Sequence, residues 1–322
     1  MITRPESIPV MQGRLKLPCF FPSISSVKTN LRPIDYLELL GAVNHPLFLF
    51  SAFDYYYSSS EEKLRFKNLI ELRRKSNCVV LMDSGNYEGF WRTDRKWTEE
   101  HFQKVSGEVS GAFSFCFDNQ SPGADSGLNS QDVVARVLRN QTYIVNSTVL
   151  PIVHDTFGSI ADTVVEVARQ LRPPMIAVPE RCLGDGISNR AKTVAGIRKK
   201  LNELQAYVPL HLLGTGNPVS IMIYSLAGAD SFDGLEWCQT SVNHRDGKLS
   251  HFQHWDFLKK PERYETLALP YDRRVLASNL DYMRSFMLNL EAGISTAVNL
   301  EWLERATSKA FVDGLKLNVE NA

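Results

Sequence analysis

The sequence predicts a mixed α/β fold, a (β/α)8 barrel of the TIM type with extra C-terminal helices. Short apolar runs alternate with helix-patterned stretches, the alternation recurs eight times between residues 19 and 237, and the runs are continuously apolar. Strands covered by helices on both faces need such continuous runs, whereas a half-solvated sheet alternates. An open doubly wound sheet fits the same pattern and is the competing architecture.

In order, the runs are CFFPSISSV from 19, PLFLFSA from 46, CVVLMDSG from 78, AFSFCFD from 112, TVLPIVHD from 148, MIAVPE from 175, LHLLGTG from 210 and SFDGLEW from 231. They are rich in β-branched and aromatic side chains, which suit a pleated, packed surface. Between them, SEEKLRFKNLIELRRK from 60, TEEHFQKVSGEV from 98, SQDVVARVLRNQ from 130 and IADTVVEVARQL from 160 repeat apolar residues at spacings of three and four. Thr98 and Ser130 stand at N-cap positions before acidic first turns, and Asn217-Pro218 puts proline at the first position of a further helix. Beyond residue 255 the stretches RRVLASNLDYMRSFMLNLEAG and TAVNLEWLERATSKAFVDGL are amphipathic. The expected division is a barrel over 1–255 and a helical extension over 256–322 packed on it. No repeat, low-complexity run or flexible linker marks a separate unit.

A chain of 322 residues, 43% hydrophobic and 22% charged, is long and apolar enough for a sizeable core. Lys plus Arg and Asp plus Glu number 36 each, so no whole-chain field attracts nucleic acid and any polyanion site must be local. Five scattered cysteines, Cys19, Cys78, Cys116, Cys182 and Cys238, fit buried thiols in a reducing compartment. The first residues lack an apolar signal core, and no stretch approaches the roughly 18 apolar residues of a spanning helix. The expectation is a cytoplasmic protein without a membrane partner.

In a barrel the C-terminal strand ends share one face, so polar residues there converge. Here they are acidic: Asp83 ends CVVLMD, Asp118 ends FSFCFD, His154 and Asp155 end PIVHD, Glu180 follows IAVP and Asp233 lies in SFDG. A single such carboxylate is ordinarily an N-cap or a solvated loop residue. Several together permit a division of labour at an anomeric carbon, with Asp233 attacking and Asp83 handling the proton. Gly85 and the glycines of CLGDG and LLGTG, Gly214 among them, let backbone approach a flat ligand. No GxxxxGK[ST], GxGxxG after the first strand, GxSxG or HExxH occurs, so nucleotide hydrolysis, dinucleotide redox, serine hydrolysis and zincin chemistry lack their marks. His244, His251 and His254 near Cys238 match no strong zinc spacing, and neither a metal nor a cofactor is expected.

Taken in order, these strand ends resemble the tRNA-guanine transglycosylase superfamily over about residues 15–250. LMDSGNYE is similar to that family's Asp-Ser-Gly-Gly-aromatic stretch, with Asp83 at the aspartate beside the reacting ribose, then Ser84 and Gly85, and Asn86 in place of the second glycine. FSFCFD resembles the stretch whose aspartate pairs with the guanine edge, which Asp118 matches, and PIVHD the one carrying a base-binding glutamine, where His154 stands. IAVPERCLGDG lines up with the family's glycine-rich turn, with Gly184 kept, Asp185 at an acidic position and Pro179-Glu180 replacing a glycine pair. HLLGTGNPVSIMIYSLAGADSFDG carries the Leu-x-Gly-x-Gly-x-Pro turn and the Gly-Ala-Asp-x-Phe-Asp segment whose last aspartate, here Asp233, is the family's nucleophile.

The resemblance implies exchange of guanine for a 7-deazaguanine base through a covalent Asp233 intermediate. Tyr87 and Phe117 are candidates to stack on the base. After the nucleophile WCQTSVNHRDG replaces the family's Pro-Thr-Arg loop, and the Cys-x-Cys-x-x-Cys zinc subdomain that docks RNA is missing, which favours DNA over tRNA as substrate. Arg92, Arg95 and Lys96, with Arg245 and Lys248, are the candidate phosphate contacts. Two alternatives stand beside this reading. One is a non-catalytic or partner-dependent subunit that binds nucleic acid within a transglycosylase complex, with an accessory protein or a homodimer as the expected assembly; the other is a retaining glycoside hydrolase, for which Trp91 and Trp97 would line the cleft.

Overall fold

Each of the eight apolar runs forms a strand in the computed structural model, which describes residues 3–11, 13–93, 96–118, 130–156 and 158–320. They are β1 (Cys19–Ile24), β2 (Leu47–Ser51), β3 (Val79–Asp83), β4 (Phe113–Phe115), β5 (Thr148–Leu150), β6 (Ile176–Pro179), β7 (Leu210–Leu213) and β8 (Ser231–Gly234). Neighbours in this order pair in parallel, and β8 returns to pair with β1, Asp233 opposite Phe21. A single parallel bridge, Ile152 to Ala177, joins the β5 and β6 ends. The sheet therefore rolls into a nearly closed barrel, and the doubly wound alternative is set aside.

Helices α1 (Pro33–Ala42), α2 (Ser60–Lys75), α3 (Glu99–Glu108), α4 (Ser130–Gln141), α5 (Ile160–Leu171), α6 (Ile187–Leu201) and α7 (Pro218–Leu226) follow the first seven strands. The cap signals behave unequally. Asn217 Oδ1 accepts from the Val219 amide at 2.9 Å, with Pro218 opening α7. Thr98 is the N-cap of α3, yet its hydroxyl faces His101 Nδ1 at 3.4 Å rather than a helix amide. Ser130 is already the first residue of α4.

Beyond the barrel strands come α8 (Tyr271–Glu291), α9 (Ala297–Ala306) and α10 (Lys309–Glu320). The α8 helix packs against β1 and α7 and so fills the eighth helix position of the ring. The last amphipathic stretch of the sequence divides at Thr307, which leaves the helical region with φ −122° and ψ −99°. The segment after β8, expected as a polar loop, contains a short hairpin, Thr240–Val242 against Leu249–His251. Asn279 of α8 holds it: its Nδ2 donates to the carbonyls of Trp237 and Thr240 at 2.8 and 2.7 Å, and its Oδ1 accepts from Val242 N at 3.0 Å.

Inside the barrel, Phe21 of β1 and Phe115 of β4 pack on the ring of His211 of β7, at centroid distances of 6.3 and 5.2 Å. At the N-terminal end of β8, fully buried Asp230 accepts from Arg4 Nε at 2.5 Å, Arg198 Nη2 at 2.7 Å, Tyr207 Oη at 2.6 Å and the Leu210 amide at 2.8 Å. Among the described residues no helix is long and apolar enough to cross a membrane.

Candidate active site

A cavity of about 400 Å³ opens at the C-terminal strand ends, within the range of small-molecule sites. Asp83, Asp233, Tyr87, Glu180 and Gly214 line it together, from β3, β8, the helix Asn86–Trp91 and the turns after β6 and β7. These side chains are distant in sequence and meet only because parallel strands end at one level, as the pairing of Ser51 with Asp83 illustrates.

Asp233 is 7% exposed and receives three donors: Ser23 Oγ to Oδ2 at 2.7 Å, His211 Nε2 to Oδ1 at 3.1 Å and the Gly214 amide to Oδ1 at 3.2 Å. The far nitrogen of His211, Nδ1, meets Ser231 Oγ at 2.7 Å. If His211 is neutral, the hydrogen is on Nε2 and the serine hydroxyl donates to Nδ1, which fixes the ring and, through it, the carboxylate. Gly214 adopts φ +77°, and the space where a side chain would stand is open, so the backbone faces the cavity unobstructed.

Asp83 is held differently. Burial, then the charges of Glu88 and Asp118, raise its pKa well above 3.8, although the Gly85 amide donates to Oδ2 at 2.9 Å. Glu88 lies behind it, 3% exposed, taking the hydroxyls of Ser25 on Oε1 at 2.5 Å and of Ser51 on Oε2 at 2.7 Å. Burial and neighbouring Asp54 push Glu88 up to about 7. Asp54, buried and bound by the Ser26 amide at 2.8 Å, is itself raised to about 6, chiefly by burial. Glu236 also lines the cavity and is raised by burial to about 7. Burial thus shifts several carboxylates around the site toward their protonated forms.

The remaining expected residues divide into two groups. Asp118, His154 and Ser84 form a buried network that is not among the cavity-lining residues described: His154 Nε2 meets Asp118 Oδ2 at 2.7 Å, and Ser84 Oγ donates to Oδ1 at 2.8 Å. Burial opposes the charges here, but the pair prevails, so Asp118 falls below 3.8 and His154 rises to about 9. Asn86 explains its own departure from glycine, since its Nδ2 donates to the Asp118 carbonyl and, at 3.1 Å, to Oδ1. Gly85 does not face the cavity either. It adopts φ +83° and lies so close to Phe53 that a Cβ would stand 2.6 Å from that residue. Asp185 is exposed away from the cavity, and Asp155 caps its own turn through Thr156 N and Ser159 Oγ, both at 2.7 Å. Phe117 packs on Phe102 at 5.8 Å.

The expected phosphate contacts are not gathered at the cavity. Arg92 Nη2 donates to Ser26 Oγ at 2.8 Å and lines a neighbouring depression with Asp54 and Arg32. Arg95 lies outside the described residues, and Lys96 is exposed nearby. Arg245 lines a groove with Tyr282, Trp302 and Arg305 against α8 and α9, and Lys248 is exposed in the hairpin turn. The cations that do line the cavity are Lys28, Arg181 and Arg190, which composition could not single out. Lys28 Nζ stands 3.4 Å from the ring centroid of Trp91, itself 48% exposed. Trp97 is in the core and donates to the Ser84 carbonyl at 3.2 Å.

His244 Nε2 is committed to Ser278 Oγ at 3.0 Å, and the Cys238 thiol to the Leu235 carbonyl at 3.2 Å. The rings of His251 and His254 lie 5.4 Å apart with their planes tilted by 52°, and among the described residues no three His, Cys, Asp or Glu side chains are grouped to hold a metal ion. Sequence reasoning missed His211, Ser23, Glu88 and Glu236. His211 was the most legible, as the one polar residue within the apolar run LHLL.

The fold and site thus define a (β/α)8 barrel with carboxylates at the C-terminal strand ends. A scan against protein-family models finds no match, and a search of curated proteins finds none.

Proposed function

We propose that this chain exchanges guanine in a nucleic acid for a 7-deazaguanine base, the reaction implied by its resemblance to the tRNA-guanine transglycosylases. The observation that carries the reading is that one cavity is lined both by Asp233, oriented by three donors, and by Asp83, whose pKa burial raises well above 3.8. Two carboxyl groups in such contrasting surroundings are suited to nucleophile and acid–base roles.

In this scheme an Asp233 oxygen attacks C1′ of the guanosine unit. The C1′–N9 bond breaks, its electron pair leaves with the base, and Asp83 delivers a proton so that guanine departs neutral. The incoming 7-deazaguanine then gives its N9 proton to Asp83, attacks C1′ and releases Asp233. Free enzyme and an exchanged polymer result, without any cofactor.

The cavity takes a base only after it leaves the stack, so single-stranded or distorted polymer is the preferred substrate. Lys28, Arg181 and Arg190 line the cavity and are the candidate phosphate contacts, with Arg190 shared with Glu180 Oε1 at 3.0 Å. DNA is favoured over tRNA because the cysteine motif of the RNA-docking subdomain is missing from the sequence.

Trapping tests this. The protein is incubated with guanine-containing single-stranded DNA and, separately, with tRNA, then denatured and examined for a covalent adduct. An adduct with DNA in the wild type and none in Asp233→Asn is expected. Adduct with tRNA alone overturns the polymer assignment. No adduct with either overturns catalysis by the isolated chain and favours the partner-dependent binding subunit.

A further inference from the structure

Four of the five cysteines are buried where no reagent reaches them. Cys19, Cys78, Cys116 and Cys238 lie in the core, and burial raises all four thiols, the first three to about 12, 11 and 12. Cys182 differs on both counts. It is only half-buried, in the short 3-10 turn Glu180–Leu183 after β6, and its thiol falls below the ordinary 9.0.

The reason lies at the adjoining strand end. His154 follows β5, is 1% exposed, and is held on one side, where Nε2 meets Asp118 Oδ2 at 2.7 Å while Ser84 Oγ donates to Oδ1 at 2.8 Å. Its other ring nitrogen, Nδ1, is buried and makes no hydrogen bond of good geometry. Buried polar atoms are seldom left so. The group beside it is the Cys182 thiol. Burial opposes charge on both, yet Asp118 and then Cys182 raise His154 to about 9, and His154, the Asp155 amide and Arg181 draw the thiol down. An imidazolium carries a proton on each nitrogen. Asp118 takes one, and a thiolate is the acceptor that the other lacks.

We infer that Asp118, His154 and Cys182 form a triad of carboxylate, imidazolium and thiolate, with Cys182 the reactive thiol of this chain and a site of oxidation by peroxide. The inference goes beyond the base-exchange reading and does not depend on it. The thiolate attacks one peroxide oxygen, and the S–O bond forms as the O–O bond breaks. Sulfur is oxidised by two electrons to a sulfenic acid, and the departing hydroxide takes a proton from solvent to become water. The site adjoins the cavity, because the turn that carries Cys182 also brings Glu180 and Arg181 to its lining. The charged groups around the sulfur are His154 with Asp118 behind it, Arg181 on the same turn, and Glu180 paired at 3.0 Å with Arg190 of α6. Asp155 offers its amide, while its carboxylate is occupied by Thr156, Ser159 and Thr163.

The test follows carbamidomethylation by iodoacetamide at each cysteine, read by mass spectrometry across a pH series, on the native chain and on the chain unfolded in guanidinium chloride. Native Cys182 is expected to react fastest of the five, with a pH midpoint below its own midpoint in denaturant. His154→Gln should move the native midpoint up and, at a pH below both midpoints, slow the reaction about tenfold for each pH unit of that shift. Hydrogen peroxide followed by dimedone should label Cys182 in the wild type. A native midpoint at or above the denatured one overturns the triad, and this comparison needs no variant to fold. A midpoint that His154→Gln leaves in place, in a variant with the wild-type circular dichroism spectrum, overturns the part given to His154. Dimedone label missing from Cys182 overturns peroxide as its electrophile.

Discussion

Asp230 and Asp233 lie three residues apart in GADSFDG, and their surroundings give them opposite tasks. Asp230 precedes β8 at the floor of the barrel, where Arg4, Arg198, Tyr207 and the Leu210 amide consume its acceptors. Asp230→Asn leaves two guanidinium groups short of their counter-charge and is expected to cost about 3–5 kcal/mol of stability in a urea melt, with activity per folded molecule retained. Asp233→Asn should do the reverse, abolishing adduct formation while moving the urea midpoint far less. Glu88 supplies a pH test. Its pKa is raised from 4.5 to about 7, so the folded chain retains a proton that the unfolded chain has already released. The stabilisation this gives is complete below about pH 4.5 and is lost as pH rises to about 7. Glu88→Gln, which keeps neutral partners for Ser25 and Ser51, should therefore raise the thermal midpoint relative to wild type at pH 8, and the difference should vanish near pH 4. A difference that instead grew on acidification would show Glu88 to be ionised in the native chain.

The short helix Asn86–Trp91 follows Asp83 directly and connects the buried carboxylates to the mouth of the cavity. Its first residue ties Asp118, Glu88 backs Asp83, Tyr87 lines the cavity, and Trp91 emerges beneath the Lys28 ammonium. Tyr87 and Trp91 meet edge to face at 6.3 Å, so an aromatic path runs outward from the site. A base neighbouring the extruded one can stack on that path, which is worth about 1–3 kcal/mol per base. Trp91→Ala should weaken single-stranded DNA binding by about tenfold at fixed salt, with little change in thermal midpoint because Trp91 is 48% exposed; an unchanged Kd would assign Trp91 to Lys28 alone. Elements of this kind mark the limit of what the sequence discloses. The strands were legible because burial on both faces forces continuous apolar runs, and the strand-end aspartates because barrel topology forces them together. Glu88 and Glu236 were not, since a polar residue in a helix looks the same whether it faces solvent, a neighbour or a cavity, and His211 left only the signal of one polar residue in an apolar run. The cations failed for a related reason: loop position in sequence does not say which rim a long side chain reaches, and Lys28, Arg181 and Arg190, all outside the expected RTDRK and NHRDGK stretches, are the ones that line the cavity.

At the scale of the whole molecule, the barrel is completed from beyond its last strand. The eighth helix position belongs to α8, which starts at Tyr271, after an irregular passage following the hairpin. Its buried face includes Val275, Leu276, Leu280, Met283, Phe286 and Leu290, and Asn279 supplies the three hydrogen bonds that hold the segment after Asp233. At about 1.5–3 kcal/mol for each large apolar side chain buried, the loss of this face is as large as the roughly 5–15 kcal/mol by which a domain is ordinarily stable. A chain ending at residue 255 should accordingly fail to fold, giving no cooperative melt and rapid proteolysis, although every strand and both proposed reacting carboxylates remain in it. A chain ending at Gly293 retains α8 and should melt cooperatively at a reduced midpoint, since α9 and α10 cover α7 and α6 from outside the ring. If the 255-residue chain instead melted cooperatively and bound guanine, the first seven helices would suffice to close the barrel, and α8 would be an appendage rather than its eighth helix.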